Sequence, residues 1–348
     1  MISIVGWDIG GANIKAAWLV REGNITQSVR LASQSFEIWR DKDRLPDVLE
    51  AVLKDIDPEL LPEAMAVTLT AELADIFATK REGVLFVLES VLARFPNCPS
   101  FALSLSGDFV PLALAKEHPL EFAAANWLAT AKWIAQMYLD CLVVDVGSTT
   151  TDILPILDGR VCTTGKTDLE RLISGELVYT GALRTNLAAI VQSVPVSGHY
   201  ARVASEYFAI SADINLILGH LSPEAYDCPT PDGRSPSLIT AQQRLARLVC
   251  ADTEQLDAQE IYKIAEYIYA KQIQQISEAI LHVLSRLPFH DPIPIIALGS
   301  GKFLAIEAGR HLGMEIRDLA FIGSAKESAV APCLAAAYLL SDQLEAEQ

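Results

Sequence analysis

A short pattern occurs twice in this chain and narrows its fold more than any other feature. Cys141-Leu142-Val143-Val144-Asp145-Val146-Gly147 repeats the order of Ile4-Val5-Gly6-Trp7-Asp8-Ile9-Gly10: an apolar run, an aspartate, one aliphatic residue and a glycine. Each copy continues into a second β-rich run, Ile14 to Val20 and Ile153 to Leu157, and then into a turn at Gly23-Asn24 or Asp158-Gly159. Asp-Gly after alternating apolar residues is a strong hairpin signal. A third run, Ile25 to Leu31, extends the first copy into an antiparallel meander. In a dinucleotide-binding opening the glycine turn leads into a helix instead. Two hairpin units of one design imply two related α/β domains facing one another.

Between and beyond the copies, strands alternate with helical patterns. Leu45, Val48, Leu49, Val52 and Leu53 recur at helical spacing, and Ala64 to Leu69 reads as a buried strand. Gly83 to Phe95 is again helical, Ser100 to Leu105 is a strand, and Pro119 to Leu139 reads as one long helix. In the second half a Pro-rich loop runs from Cys228 to Pro236. A long amphipathic helix, either core or a dimer face, is expected over Ala258 to Leu287, with Asp257 as its N-cap. Ile293 to Leu298 is a strand leading to Gly299-Ser300-Gly301, and Ala329 to Leu340 is the closing helix. The expected architecture is two lobes, each a mixed five-stranded sheet flanked by helices, with a ligand cleft between them. The first lobe takes residues 1–139, the second 140–328 with a largely helical insertion, and 329–348 returns to the first.

Composition limits the partners. With 51% hydrophobic and 20% charged residues among 348, the chain has material for packed cores and is not intrinsically disordered. A net charge of −17 disfavours nucleic acid and anionic membranes, though a metal ion and a few lysines can still hold a small phosphorylated ligand. Six scattered cysteines without a CxxC pattern read as reduced, packed thiols of a cytoplasmic protein. No basic, apolar leader precedes the first strand, and Ala329 to Leu340 falls short of the ~20 residues that span a bilayer. The six histidines show neither HExxH nor paired spacing, so a histidine-ligated metal site is not expected.

The two turns carry the chemistry. Tight turns rich in Gly, Ser and Thr present backbone N–H groups and hydroxyls to phosphate. Gly10, Gly11, Asn13 and Lys15 form the first such set, and Gly147, Ser148, Thr149 and Thr150 the second. Asp8 and Asp145, at the strand ends, are candidates to hold Mg²⁺ beside the phosphates, usually through its water shell. The plainer alternative is two ordinary turns with solvated aspartates.

Asp8-Ile9-Gly10-Gly11-Ala12-Asn13-Ile14-Lys15 resembles the first phosphate loop of the actin, sugar kinase and heat-shock chaperone superfamily. Asp145-Val146-Gly147-Ser148-Thr149-Thr150-Thr151-Asp152 resembles its second, and Gly299-Ser300-Gly301 stands at the place of its adenosine-side glycines. Within that superfamily the chain is similar to the hydantoinase and oxoprolinase group, above all to the small family of tetrahydromethanopterin-linked C1-transfer proteins. The likeness runs nearly end to end and includes Thr68 to Asp75, Thr79 to Gly83, Gly175 to Asn186, Ala204 to Phe208 and Asp232 to Arg234. The resemblance implies two ribonuclease H-like, actin-like ATPase lobes. Archaeal members of the family make methanofuran: they join a furanmethyl diphosphate to the phenol oxygen of γ-glutamyltyramine and release pyrophosphate.

That implied reaction assigns provisional roles. Glu72, Asp75 and Asp152 are candidate bases for the phenol. The alternative for the first two is a helix start capped by Thr70, with the acids complementing the dipole. Lys80 and Arg81 are anion contacts or a solvated helix start, and Lys166 is a phosphate contact or a solvated turn. Arg184 suits a substrate carboxylate or an internal ion pair with Glu176, and Gly299 and Gly301 suit substrate binding. The implied partners are a small diphosphate and a phenol, with Mg²⁺ and a possible homodimer. The competing reading is an ATP-dependent small-molecule kinase or hydantoinase/oxoprolinase-like enzyme. Asn13 replaces the Thr that many kinases carry, which weakens the kinase reading.

Overall fold

The computed structural model describes residues 1–288, 292–317, 319, 328 and 330–347. The chain forms two compact units. The first comprises Met1–Cys141, Leu154–Arg171 and the C-terminal helix, and the second Leu142–Ile153 and the chain from Leu172 to the last strand. The architecture is α/β, with one mixed sheet at the centre of each unit.

In the first unit β1 (Ile2–Gly10), β2 (Asn13–Glu22) and β3 (Ile25–Ser35) form the expected meander. β4 (Ala64–Thr70) and β5 (Ser100–Leu103) add in parallel on the other side of β1, and β6 (Phe109–Pro111) closes the edge. Between the strands run α1 (Leu45–Ile56), α2 (Lys80–Arg94), α3 (Leu112–Ala115) and α4 (Asn126–Ala135). β1 is buried along almost its whole length because both sheet faces are covered. On one face Trp7, Ile9 and Val67 meet Val48, Leu49 and Val52 of α1 and Val84, Val87 and Val91 of α2. The C-terminal helix covers β1, β2 and β4, and Gly6 lets its backbone at Cys333 lie directly on the strand.

In the second unit β7 (Cys141–Val146) and the start of β8 (Thr151–Leu157) follow the repeated motif, with the two-residue β10 (Leu177–Val178) on β8; the end of β8 and the two-residue β9 (Arg160–Val161) that pairs with it fall in the 154–171 segment of the first unit. α5 (Asp168–Ser174) begins in the 154–171 segment of the first unit; in the second unit α6 (Leu187–Ile190), the ribbon of β11 (Ser193–Val196) and β12 (His199–Arg202), α7 (Ser211–Ile217) and α8 (Leu238–Arg247) come next. The ribbon turns at Ser197 and Gly198, both at positive φ (45° and 83°). α9 (Ala258–Leu284) lays Ile261, Ile264, Ile268, Ile276 and Ile280 into the core. Its N-cap Asp257 accepts from the Gln259 and Glu260 N–H groups (2.9 and 2.8 Å), and Glu260 reaches back to the Asp257 N–H. β13 (Ile295–Leu298) pairs in parallel with β7 and β14 (Ile316–Arg317); α10 (Lys302–His311) lies between β13 and β14, and α11 (Ala331–Ala346) ends the chain.

The Pro-rich loop is pinned by charge. Asp213 is fully buried and accepts from Arg244 (2.7 Å) and the Tyr226 hydroxyl (3.0 Å). Arg244 also reaches Asp232 of the loop at 3.1 Å, beside Arg234 and Arg247.

Three expectations need correction. Among the described residues each sheet has six strands rather than five, because β6 and the two-residue β9, β10 and β14 are too short to show periodicity. The expected helix from Pro119 to Leu139 is a 3₁₀ turn at Pro119–Phe122 followed by α4. Ala124, at φ 50°, breaks the run, and its many apolar residues hide the break. Thr70 caps no helix: Thr79 caps α2, accepting from the Glu82 N–H at 3.2 Å. Ala329, the expected start of the closing helix, lies outside the described residues.

Candidate functional site

In the first unit the hairpin register sets Asp8 opposite Lys15, with Asp8 Oδ2 3.6 Å from Lys15 Nζ. The turn between them is held from behind. The Gly11 and Ala12 carbonyls accept from the Ile38 and Phe36 N–H groups at 3.0 and 2.9 Å. In a trans peptide the N–H points opposite to the C=O. The N–H groups of Ala12 and Asn13 are therefore directed away from the segment that holds the carbonyls. Asp8 is 5% exposed, and its Oδ1 has no hydrogen-bond partner. Burial raises the Asp8 carboxyl above its ordinary range, while Lys15 and the Asn126 side chain at the start of α4 oppose the rise. Asn126 was not singled out from the sequence. Nothing in its neighbourhood marks it until α4 is folded against β4 and the C-terminal helix.

β4 runs parallel to β1 with Asp8 beside Thr68 and Gly10 beside Thr70, so the residues after Thr70 emerge at the same sheet end as the turn. They form successive tight turns, Ala74 N–H to Ala71 and Phe77 N–H to Ala74. Glu72 is buried, whereas Asp75 is exposed. Glu72 Oε2 has no partner, and Oε1 lies 4.0 Å from Lys80 Nζ. Burial pushes the Glu72 carboxyl up to about 7; Lys80 lowers it and Asp168 raises it. Lys80 itself bonds Asp168 at 3.1 Å. Arg81 and Lys166 are exposed, and the Lys166 N–H caps onto Glu170.

The second unit repeats the construction. The Gly147 N–H donates to the Thr150 carbonyl, closing the turn. The Gly147 carbonyl accepts from Ala182 (3.0 Å), and that of Ser148 from Leu183 (3.0 Å) and Arg184 (2.9 Å). By the same peptide geometry, the N–H groups of Ser148 and Thr149 face away from the 182–184 segment. Gly181 makes this seat possible: a Cβ there would stand 2.6 Å from Thr149 backbone atoms. Ser148 Oγ and Thr149 Oγ1 lie 3.4 Å apart at the tip. Asp152 sits partly buried on β8 opposite Leu177.

Gly299 and Gly301 pack against the end of β7. Gly299 has φ 89°, and a Cβ there would stand 2.5 Å from Asp145 Oδ1. The Gly301 N–H donates to the Val146 carbonyl at 2.8 Å. Close packing on Asp145 and Val146 accounts for both glycines. Arg184 is anchored to the Ser148 carbonyl by its backbone and lies near Tyr207 and Cys228. Glu176, fully buried, accepts from Ser174 (2.8 Å) and Arg286 (3.0 Å), and Tyr179 is exposed.

The family model for hydantoinase/oxoprolinase covers residues 63–343. The chain belongs to this family. One relative is the (4-{4-[2-(γ-L-glutamylamino)ethyl]phenoxymethyl}furan-2-yl)methanamine synthase of Methanocaldococcus jannaschii. It is 38% identical over 308 residues, covering 88% of this chain and 88% of the relative. The protein of the same name from Methanococcus vannielii is 37% identical over 169 residues, 49% of this chain and 74% of its own.

Among solved structures, a ROK family glucokinase from Streptomyces griseus, in complex with glucose and AMPPNP, superimposes with TM-score 0.50. It is 14% identical and covers 97% of this chain and 98% of its own. A nucleotide-free acetone carboxylase structure superimposes with TM-score 0.54 at 10% identity, covering 95% of this chain and 70% of its own. These place the family member in the actin-like ATPase fold. Among the described residues, no helix is long and apolar enough to cross a membrane.

Proposed function

We propose that the chain forms an aryl ether: it transfers a furanmethyl group from its diphosphate to the phenol of γ-glutamyltyramine or a tyrosine-type analogue, releasing pyrophosphate. The observation that carries this is 38% identity over 88% of both chains to a synthase whose name describes that ether.

The phenol oxygen attacks the methylene carbon, and the bond from that carbon to the diphosphate oxygen breaks with its electron pair leaving on pyrophosphate. The electron-rich furan stabilises positive charge at the carbon, so the transition state is loose. Negative charge grows on the bridging oxygen, where fixed donors are most effective. The Ala12 and Asn13 N–H groups, with Gly10, Gly11 and the Lys15 ammonium, suit that role. Gly147, Ser148, Thr149 and Thr150 are proposed to bind phosphate oxygens by the same device, with Lys166 as a further contact.

The phenol, with an unperturbed pKa of ~10, needs a base. Glu72 suits it better than exposed Asp75 or partly buried Asp152: a buried carboxylate near 7 is a stronger base than a solvated one. Asp8 fits a hydrated divalent cation because its unpartnered, buried Oδ1 is the hard oxygen donor that Mg²⁺ prefers. Asp145 is proposed as the matching acid of the second turn. Magnesium, when bound, neutralises phosphate charge. Arg184 is assigned to a substrate carboxylate, and Lys80, Arg81, Gly299 and Gly301 to other substrate contacts.

The test is direct. Purified protein with furanmethyl diphosphate, γ-glutamyltyramine or a tyrosine analogue, and Mg²⁺ is expected to release pyrophosphate and give the coupled ether by mass spectrometry. No product with either phenol, under conditions where the Methanocaldococcus jannaschii synthase works, overturns the proposal.

A further inference from the structure

Glu72 meets two charged groups, each from a different helix. Lys80, at the start of α2, lies 4.0 Å from Oε1, and Asp168, at the start of α5, holds the same ammonium at 3.1 Å. The Glu72 side chain is 1% exposed, so water screens little of this field. Other charged groups on the same elements have their own surroundings: buried Arg171 of α5 stacks over the Trp127 ring at 4.3 Å. Glu82 of α2 accepts from the Ala78 N–H at 3.0 Å, while Asp75 and Arg81 are exposed. The first turn of α5 is fixed in place: Glu170 Oε2 accepts from the Lys166 and Thr167 N–H groups, and Gly165 packs against the backbone of Arg171.

A lysine in full contact with a carboxylate makes it a weak base; removing the lysine leaves a buried carboxyl protonated at neutral pH. Neither extreme serves proton abstraction from a phenol. The geometry points to Asp168 as a positioning residue: it holds the Lys80 ammonium just off Glu72, so that Glu72 can take the phenol proton near neutrality. This inference rests on the proposed function. It also accounts for the value near 7 at Glu72, where Lys80 and Asp168 act with opposite sign.

The pH profile of kcat/KM for pyrophosphate release tests it. In Asp168→Asn, Lys80 is released toward Glu72, and the acidic limb is expected to move down by about one pH unit. In Lys80→Met the limb moves up by about as much, and Lys80→Arg restores it toward wild type. Profiles of Asp168→Asn and Lys80→Met that superimpose on wild type overturn the inference.

A second readout does not need turnover. The carboxyl ¹³C resonance that disappears in Glu72→Gln is titrated in wild type and in each variant, with shifts expected in the same directions. A titration unmoved by Asp168→Asn overturns the inference even where catalysis is absent. Wild-type protein that releases no pyrophosphate overturns the proposed function alone.

Discussion

Gly83 lies flat on the backbone of Glu72: a Cβ on Gly83 would stand 2.5 Å from Glu72 Cα and 2.6 Å from its carbonyl oxygen. The start of α2 and the turn that carries the candidate base thus share one close backbone contact. That contact is what permits Lys80, at the first position of the helix, to approach the Glu72 carboxylate.

Gly83→Ala tests this contact. The methyl meets backbone atoms rather than a flexible side-chain end, so α2 or the Glu72 turn must shift. Overpacking of this kind costs about 1–3 kcal/mol. Urea denaturation is expected to show that loss, together with a fall in kcat. Unchanged values of both would mean that the two backbones are not in contact.

Glu72→Gln separates stability from function. The folded protein keeps a proton on Glu72 up to about pH 7, whereas the unfolded chain releases it near the ordinary 4.5. The folded state binds more protons across that window, so this group's contribution to stability falls as pH rises and is fully lost above the folded value. Glutamine never ionises and escapes the loss. The variant is expected to be more stable than wild type by roughly 3 kcal/mol above about pH 8, to match it near about pH 4, and to be inactive. Denaturation midpoints at the two pH values check this. A gain that does not grow with pH contradicts the burial argument.

Metal removal addresses Asp8. With EDTA, pyrophosphate release is expected to stop, and added Mg²⁺ is expected to restore it. In Asp8→Asn the buried, unpartnered oxygen keeps its place but loses its charge. The half-saturating Mg²⁺ concentration is expected to rise by roughly tenfold or more. A metal titration of pyrophosphate release reads the change. An identical titration curve removes Asp8 from the metal site.

The two arginines around the Pro-rich loop should behave unequally. Arg244 is fully buried on Asp213, while Arg247 is 43% exposed on Asp232. Arg244→Met strands a buried carboxylate and is expected to cost about 3–5 kcal/mol. Arg247→Ala removes a screened pair and costs less than about 1 kcal/mol. Chemical denaturation of both variants measures the difference, and equal costs would refute the buried-pair reading.

The twin hairpins, their aspartates and the α/β class were legible because each depends on residues close in sequence. Alternating apolar residues, an acid at the strand end and a glycine in the turn leave few other local structures. Asp257 as an N-cap was legible for the same reason. Helix breaks were harder to read: Pro119 to Leu139 is mostly apolar with no glycine and no proline after its first residue, and Ala124 adopts its positive φ with no residue type to announce it. Glu72 and Asp75 looked equivalent, three positions apart, yet one is buried and the other is in solvent.

The sequence alone thus determined where the two acid-bearing turns fall and which residues are available to do chemistry. Only the tertiary structure decided the state of those groups. Ile38 and Phe36 tie back the first turn, the 182–184 segment ties back the second, and Asp168 sits on Lys80. Each partner lies far along the chain from the group it acts on. Peptide orientation and burial, which set hydrogen-bonding direction and proton affinity, arise from such contacts between distant segments and leave no local pattern to read.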